Sequence, residues 1–383
     1  MFPPSSSRIH RLIATFVLLV VCAQAWAQEK PDENAKDARF GFALLQQQAK
    51  TQKTGNLLLA PRNIRTALAA VAVGAEGETR REILDKTNDY DAIDNANGKS
   101  FTNALHLWVK KDYVLQEKFR NHFSSARVDS TTPEKGLNVI NNYVREQTKG
   151  KITRVLDKSP ETFVLTSVFD FEGKWSSPFR PESTAPDAFF VTPEKTRTVR
   201  FMRNFGHFDY AQTAEGQWLR LPYREDDLVM TLFLPKPGLD INRWLQTVTG
   251  DSWRAGVQAL KYQKGEVKLP RLSFRKQPVQ ELKPALQTIG IRRAFTDAAQ
   301  FTGITQTPVP LKIFSVRHAT MLEIDEQGTK AAAATSVIMG IGAAGPSREE
   351  PFRMKLDRPF FLTIGDAQNH KILFMAVIRD PSQ

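Results

Sequence analysis

Gly340-Ile341-Gly342-Ala343-Ala344-Gly345 fits the glycine pattern of a dinucleotide-binding turn and follows the strand-like Val337-Ile338-Met339. That chemistry needs a helix whose N-terminus receives a pyrophosphate. The residues that follow, SREEPF, are too few for such a helix and meet Pro351. The stretch reads instead as a loop. No other set of residues is spaced for catalysis: GxSxG, HExxH and paired Cys–His arrangements are missing. His10, His106, His122, His207, His318 and His370 are scattered without metal-ligand spacing. Carboxylates are plentiful, but none is singled out by an apolar setting. The expectation is a protein that is not an enzyme and carries no metal or cofactor.

The more telling chemistry lies in residues 323–345, EIDEQGTKAAAATSVIMGIGAAG. Alanine has the best helix propensity, so local pattern favours a helix over Thr329–Met339. The same methyl side chains suit another use. A run of them slides between two existing strands with little steric conflict, and Gly328 supplies a hinge.

The elements that must hold this stretch are legible in outline. Apolar residues at helical spacing mark helices from Phe40 to Gln47, from Ile64 to Val73 with Gly74 as the stop, from Glu78, and from Lys135 to Gln147. Leu57–Leu59, the LHLWV run from Leu105 and Phe163–Phe171 read as strands, the last one central and buried on both faces. Trp218–Leu221 with Leu228–Leu234 form a hairpin. Val267–Phe274 is a strand, Gln280–Thr288 a helix and Ile313–Ile324 one long strand. Pro359–Ile364 and Ile372–Ile378 form a second hairpin. Residues 85–100 are turn formers and charges with little to bury. Helices and strands follow in irregular order, which is the signature of a mixed α+β fold.

The chain has 383 residues, 41% of them apolar and 25% charged, an ordinary globular balance. Residues 1–27 stand apart: Arg8 and Arg11, an apolar run from Leu12 to Val21, then Ala25-Trp26-Ala27. This is the pattern of a cleaved export signal, which predicts a periplasmic or secreted protein of residues 28–383 that leaves the membrane after cleavage. The signal takes with it the only cysteine, Cys22, and two units of the formal charge of +12. The remaining cations are scattered through the chain with no aromatic residues interleaved, which argues against a nucleic-acid partner.

Segments along nearly all of residues 38–381 resemble the serpin family of serine protease inhibitors, in an exported bacterial-type form. They are NLLLAPRNIRTALAAVAVGAEGET (56–79), NNYVREQTKGKI (141–152), FVLTSVFDFEGKW (163–175), LPYREDDLVMTLFLP (221–235), LPRLSF (269–274), EIDEQGTKAAAAT (323–335), DRPFFLTI (357–364) and ILFMAVIRDP (372–381). The resemblance implies one domain of three β-sheets surrounded by helices, with an exposed reactive loop. It implies a monomeric suicide substrate whose cleaved loop inserts into the main sheet and traps the protease as an acyl-enzyme. A non-inhibitory serpin, which binds a ligand or is merely cleaved, is the alternative.

Carried over residue by residue, the inhibitory hinge pattern falls on Glu326, Gly328, Thr329, Ala331, Ala332, Ala333, Ala334 and Thr335, with Lys330 the one charge within it. Counted from Glu326, family spacing places the scissile bond at Gly342–Ala343, with Met339, Gly340, Ile341 and Ala344 in contact with the protease. That bond suits an elastase-like or subtilisin-like enzyme. Counted back from Pro359-Phe360, it falls at Arg348–Glu349, a trypsin-like bait. Gly342 is preferred, because a bond at Arg348 leaves slack in the tether. Trp175 and the pair Arg271 with Glu326 match the place where insertion begins, and His318 matches the histidine of the shutter where strands part. Three departures stand out. The family's shutter serine and asparagine are Ala60 and Ser167 here, so His318 is expected to need other partners. Tyr143 replaces a tryptophan. Residues 85–100 are too few for the helix that serpins carry after their third, so its polyanion site is not transferable.

Overall fold

The computed structural model describes residues 33–87, 100–122, 126–225, 227–274, 279–329, 350–367 and 371–382. The proposed signal, most of the short segment at 85–100 and residues 330–349 of the loop lie outside them. Eight helices and three sheets are present among the described residues.

The sheet that matters most has five strands in the order β12 (Gln280–Glu281), β13 (Ser315–Thr320), β4 (Phe163–Phe171), β2 (Phe101–Lys110), β3 (Ala126–Thr131). Its centre, β4, is buried along almost its whole length, because both faces of the sheet are covered. On one face lies α2 (Pro61–Val73), whose alanines are buried all round. On the other lies α5 (Pro133–Gln147), where Ile140, Tyr143 and Val144 pack with Trp108, Val164, Val168 and Ala319. Gly136 is needed there, since a Cβ would come within 2.5 Å of the Trp108 ring. Gly150 closes the helix end at φ 79°, its N–H donating back to the Arg145 carbonyl at 2.7 Å.

A nine-stranded sheet packs on the far side of α2. Its path is β1 (Leu57–Leu59), β18 (Ile372–Ile378), β17 (Phe360–Asp366), β9 (Leu228–Pro235), β8 (Gly216–Pro222), β7 (Lys195–Gln212), β10 (Lys261–Pro270) and β16 (Phe352–Lys355), with β6 (Ala185–Thr192) paired to β7. Both expected hairpins are present. The third sheet has four short strands, β11 (Leu272–Phe274), β14 (Leu322–Asp325), β15 (Gly328–Thr329) and β5 (Gly173–Lys174). The remaining helices are α1 (Glu33–Thr51), α3 (Gly77–Leu84), α4 (Glu117–Asn121), α6 (Ile241–Thr247), α7 (Gly250–Gln258) and α8 (Lys283–Thr288).

Four expectations need correction. Val267–Phe274 is not one strand: it breaks at Arg271, passing from the nine-stranded sheet to the four-stranded one. Ile313–Ile324 likewise breaks at Met321, where β13 gives way to β14 in another sheet. Gln280–Thr288 starts as the two-residue strand β12, since Pro284 suits the first turn of a helix and not its interior. The helix read from Phe40 to Gln47 is longer, Glu33–Thr51.

Candidate functional site: a parted seam

β4 and β13 run side by side and parallel, paired from Val164↔Ser315 to Phe169↔Thr320. Their continuations do not touch. β5 extends β4 and β14 extends β13, and β15 lies between them, antiparallel to both, with Gly328 paired to Asp325 and Lys174 and Thr329 paired to Ile324 and Gly173. The seam is thus shut along its length and parted at one end, where the first two residues of the loop already occupy the gap.

Local chemistry fixes that wedge. The Asp325 carboxylate accepts from the N–H groups of Gln327 at 2.8 Å and Gly328 at 3.2 Å, closing the turn between β14 and β15. At Gly328 a Cβ would stand 2.1 Å from the Gly173 carbonyl oxygen, so only glycine fits. Thr329 is fully buried, its hydroxyl 2.7 Å from the Tyr223 hydroxyl. Burial pushes the Tyr223 phenol up, so it stays protonated. Tyr223 stacks on Trp175 with centroids 4.6 Å apart. Trp175 donates from its indole to the Asp325 carbonyl at 3.0 Å and from its backbone to the Gln327 carbonyl at 2.9 Å.

Glu326 is 4% exposed. Burial works to raise its pKa, but hydrogen bonds from Thr184 and Arg271 outweigh that and hold the carboxyl below its ordinary value. Oε1 accepts from Thr184 Oγ1 at 2.5 Å, Arg271 Nε at 2.8 Å and Arg271 Nη2 at 2.6 Å. The break at Arg271 that divides the predicted strand is what brings its guanidinium to this carboxylate.

Further down the seam, His318 is paired in register with Ser167. Its Nε2 accepts from the Ala60 N–H at 3.0 Å, and Nδ1 faces the Ser167 hydroxyl at 3.1 Å and carbonyl at 3.2 Å. An accepting Nε2 and a donating Nδ1 define a neutral ring. Burial drives its pKa down to about 3, against a smaller opposing effect of the Ser167 carbonyl. His318 therefore keeps its partners at the two altered positions, through a backbone N–H at Ala60 and a shorter side chain at Ser167. The expected need for other partners is corrected.

Of the residues singled out from sequence, Trp175, Arg271, Glu326, Gly328 and Thr329 are brought together, and His318 stands apart along the same seam. Ala331, Ala332, Ala333, Ala334, Thr335, Met339, Gly340, Ile341, Gly342, Ala343, Ala344, Arg348 and Glu349 lie outside the described residues. Thr184, Tyr223 and Asp325 were missed. Asp325 had a readable signal, an Asp two residues before Gln327-Gly328. Thr184 and Tyr223 carry none, because their roles exist only in the folded chain.

A model of the serpin (serine protease inhibitor) family matches residues 35–381. The chain is a serpin. Rat alpha-1-antiproteinase is 30% identical, the match covering 99% of this chain and all of that one. A serpin-like protein of Thermococcus kodakarensis is 32% identical over 92% of this serpin and 87% of its own length. Among solved structures, human thyroxine-binding globulin complexed with its hormone superposes with a TM-score of 0.81 at 22% identity, covering 92% of this chain and 99% of that one. The thermophilic serpin tengpin, in its native state, superposes at 0.80 with 24% identity, covering 90% and 93%. Both share the fold.

Proposed function

We propose that this serpin is an exported, monomeric suicide inhibitor of an elastase-like or subtilisin-like serine protease. The observation that carries the reading is the wedge: β15 stands between the continuations of β4 and β13, in the register an inserting strand would extend. Continued down the seam, that register sets Ala331 against Leu322 and Phe171, Ala333 against Thr320 and Phe169, Thr335 against His318 and Ser167, and Ile338 against Ser315 and Val164. The two flanking strands stay mutually in step throughout, so one strand fits both. Residues of odd number then follow Thr329 into the core, and those of even number, Lys330 included, face the side of α5. The alanines at the inward positions lose no side-chain entropy on burial.

In the proposed reaction the protease's serine oxygen attacks the Gly342 carbonyl carbon. The bond to the Ala343 nitrogen breaks, the nitrogen leaves as an amine, and Gly342 becomes an ester of the enzyme. Insertion from Thr329 to Ile338 then carries the ester roughly 30 Å along the seam. Gly342 lies four residues beyond Ile338, and Arg348 ten. The shorter tether draws the protease harder against the base of the molecule, which favours the Gly342–Ala343 bond. The leader at residues 1–27 supports export.

Denaturing gels of the mature protein with elastase-like, subtilisin-like and trypsin-like proteases test the reading. A complex that survives denaturant is expected, with a released peptide that begins at Ala343. Release from Glu349 would move the bond to the trypsin-like bait. Cleavage without any complex would leave the non-inhibitory alternative.

A further inference from the structure

Aromatic residues and cations do alternate locally, along Arg203-Asn204-Phe205-Gly206-His207 and Lys261-Tyr262-Gln263-Lys264, and the fold sets these two stretches side by side. β7 and β10 pair antiparallel from Tyr210↔Lys261 to Phe201↔Pro270, and cross-strand partners share a face. One face carries Arg203, Phe205, His207 and Asp209 beside Lys268, Glu266, Lys264 and Tyr262. β16 adds Arg353 and Lys355 through the pairs Glu266↔Arg353 and Lys268↔Lys355. The opposite face is core: Met202, Phe208, Tyr210, Val267, Leu269 and Met354 are buried. Folding therefore gives the outward aromatics little cover. Tyr262 is 74% exposed and Phe205 55%.

These side chains are ordered among themselves. His207 stacks on Tyr262 with centroids 5.3 Å apart, and Lys264 Nζ lies 5.5 Å over the Phe205 ring. The carboxylates nearby are already engaged. Glu266 is bonded to Arg203, Asp209 lies 3.9 Å from Arg220, and Asp187 is shared by Lys268 and Lys355. Lys264 and Arg353 have no ion-pair partner among the described residues. Exposed aromatic rings beside uncommitted cations are the makings of a protein interface.

Its position indicates the partner. The first pair of the parallel ladder is Phe352↔Gly265, so Lys261–Lys264 of β10 overhang the start of β16. The loop returns to the scaffold beside that overhang, through Glu350 and Pro351. The eight residue steps from Gly342 to Glu350 reach at most about 28 Å, and a protease domain has a radius of gyration of about 17 Å. A protease gripping the bait bond is thus within reach of this face.

We propose that Phe205, His207, Tyr262, Lys264 and Arg353 form a second docking surface for the target protease, fitting an enzyme whose rim beside the active-site cleft is acidic. The proposal rests on the inhibitor reading above and adds to it how a target is chosen among enzymes of one cleavage specificity. Charge of this kind acts on the rate of encounter, and the exposed ring acts on how long the encounter lasts.

The test is the second-order rate of covalent-complex formation for wild type, Tyr262→Ala, Lys264→Glu and the double variant, at low and high salt. All these positions are exposed, and melting curves check that each variant folds. The double variant is expected to react about tenfold more slowly at low salt. The Lys264→Glu share of that loss should shrink when salt screens it. Cleavage of a free peptide spanning residues 335–350 measures bait quality alone. Rates within twofold of wild type for every variant would overturn the proposal, as would slowing that appears only when an acidic polysaccharide is added. If no protease forms a covalent complex, the trap fails but the surface is still testable. Binding of the cleaving protease, inactivated at its serine, should then weaken in the same variants, and unchanged binding would refute the docking surface.

Discussion

The closed seam requires a neutral His318, because Nε2 must accept the Ala60 N–H. Protonation would place a donor against a donor at a site with no exposure. The folded pKa of about 3 lies below the unfolded value of 6.5. The unfolded chain thus binds the extra proton as pH falls from 6.5 toward 3, and stability declines across that window. Between pH 6.5 and 5 the loss is expected to reach about 2 kcal/mol. Denaturant titrations at the two pH values should show that loss in wild type and not in His318→Gln, measured as the difference between them. A second residue-scale expectation concerns Gly328, where a methyl group meets the Gly173 carbonyl. Gly328→Ala should displace β15 and lower stability by about 2 kcal/mol or more, given the strain and the broken ladder. A melting curve reads this directly.

At the scale of elements, sequence reading recovered the central strand Phe163–Phe171, the buried alanine-rich helix and both hairpins, because burial on one or two faces writes its period into the residues. It did not recover the breaks at Arg271 and Met321. Apolar residues run on through both positions, and only the divergence of two sheets ends each strand. The long β7 and its partner β6 were also missed, since charged and aromatic residues alternate there without a clean apolar face. The helices α6 and α7 are short and separated only by Val248-Thr249, too brief for their period to show. Glu326 and Arg271 were found through family resemblance, whereas their partner Thr184 depends on tertiary placement. The register that the wedge begins makes a sharp distinction between neighbouring hinge positions. Ala333→Arg would drive an unpaired guanidinium into the core, while Lys330→Ala changes a side chain directed at the other face. Burying such a charge costs about 3 kcal/mol or more, which slows insertion about 100-fold. Ala333→Arg should be cleaved as a substrate with little complex formed, and Lys330→Ala should inhibit as wild type does. Titrating protease with each variant and counting inhibitor consumed per enzyme trapped decides it.

For the whole molecule, the shut seam is a parallel ladder with a strand's worth of apolar residues, Val337, Ile338 and Met339, left over in the loop sequence. Parallel pairing is slightly the less stable kind per residue. A strand entering between β4 and β13 replaces that one ladder with two antiparallel ones and buries the leftover side chains. The native chain is therefore expected to be metastable, held short of its lowest state by the uncut loop joining Thr329 to Glu350. The only cysteine is Cys22, so no internal disulfide contributes to the difference. Cutting the loop frees one end and removes the constraint. A net gain of only about 5 kcal/mol raises the melting midpoint by roughly 6 °C in a chain of this size. Cleaved protein should melt at least that much higher than intact protein, and cleaved Ala333→Arg should not. Equal midpoints for intact and cleaved wild type would mean that the seam stays shut after cleavage, and the wedge at Gly328–Thr329 would then be a fixed anchor for the loop and not the start of a strand.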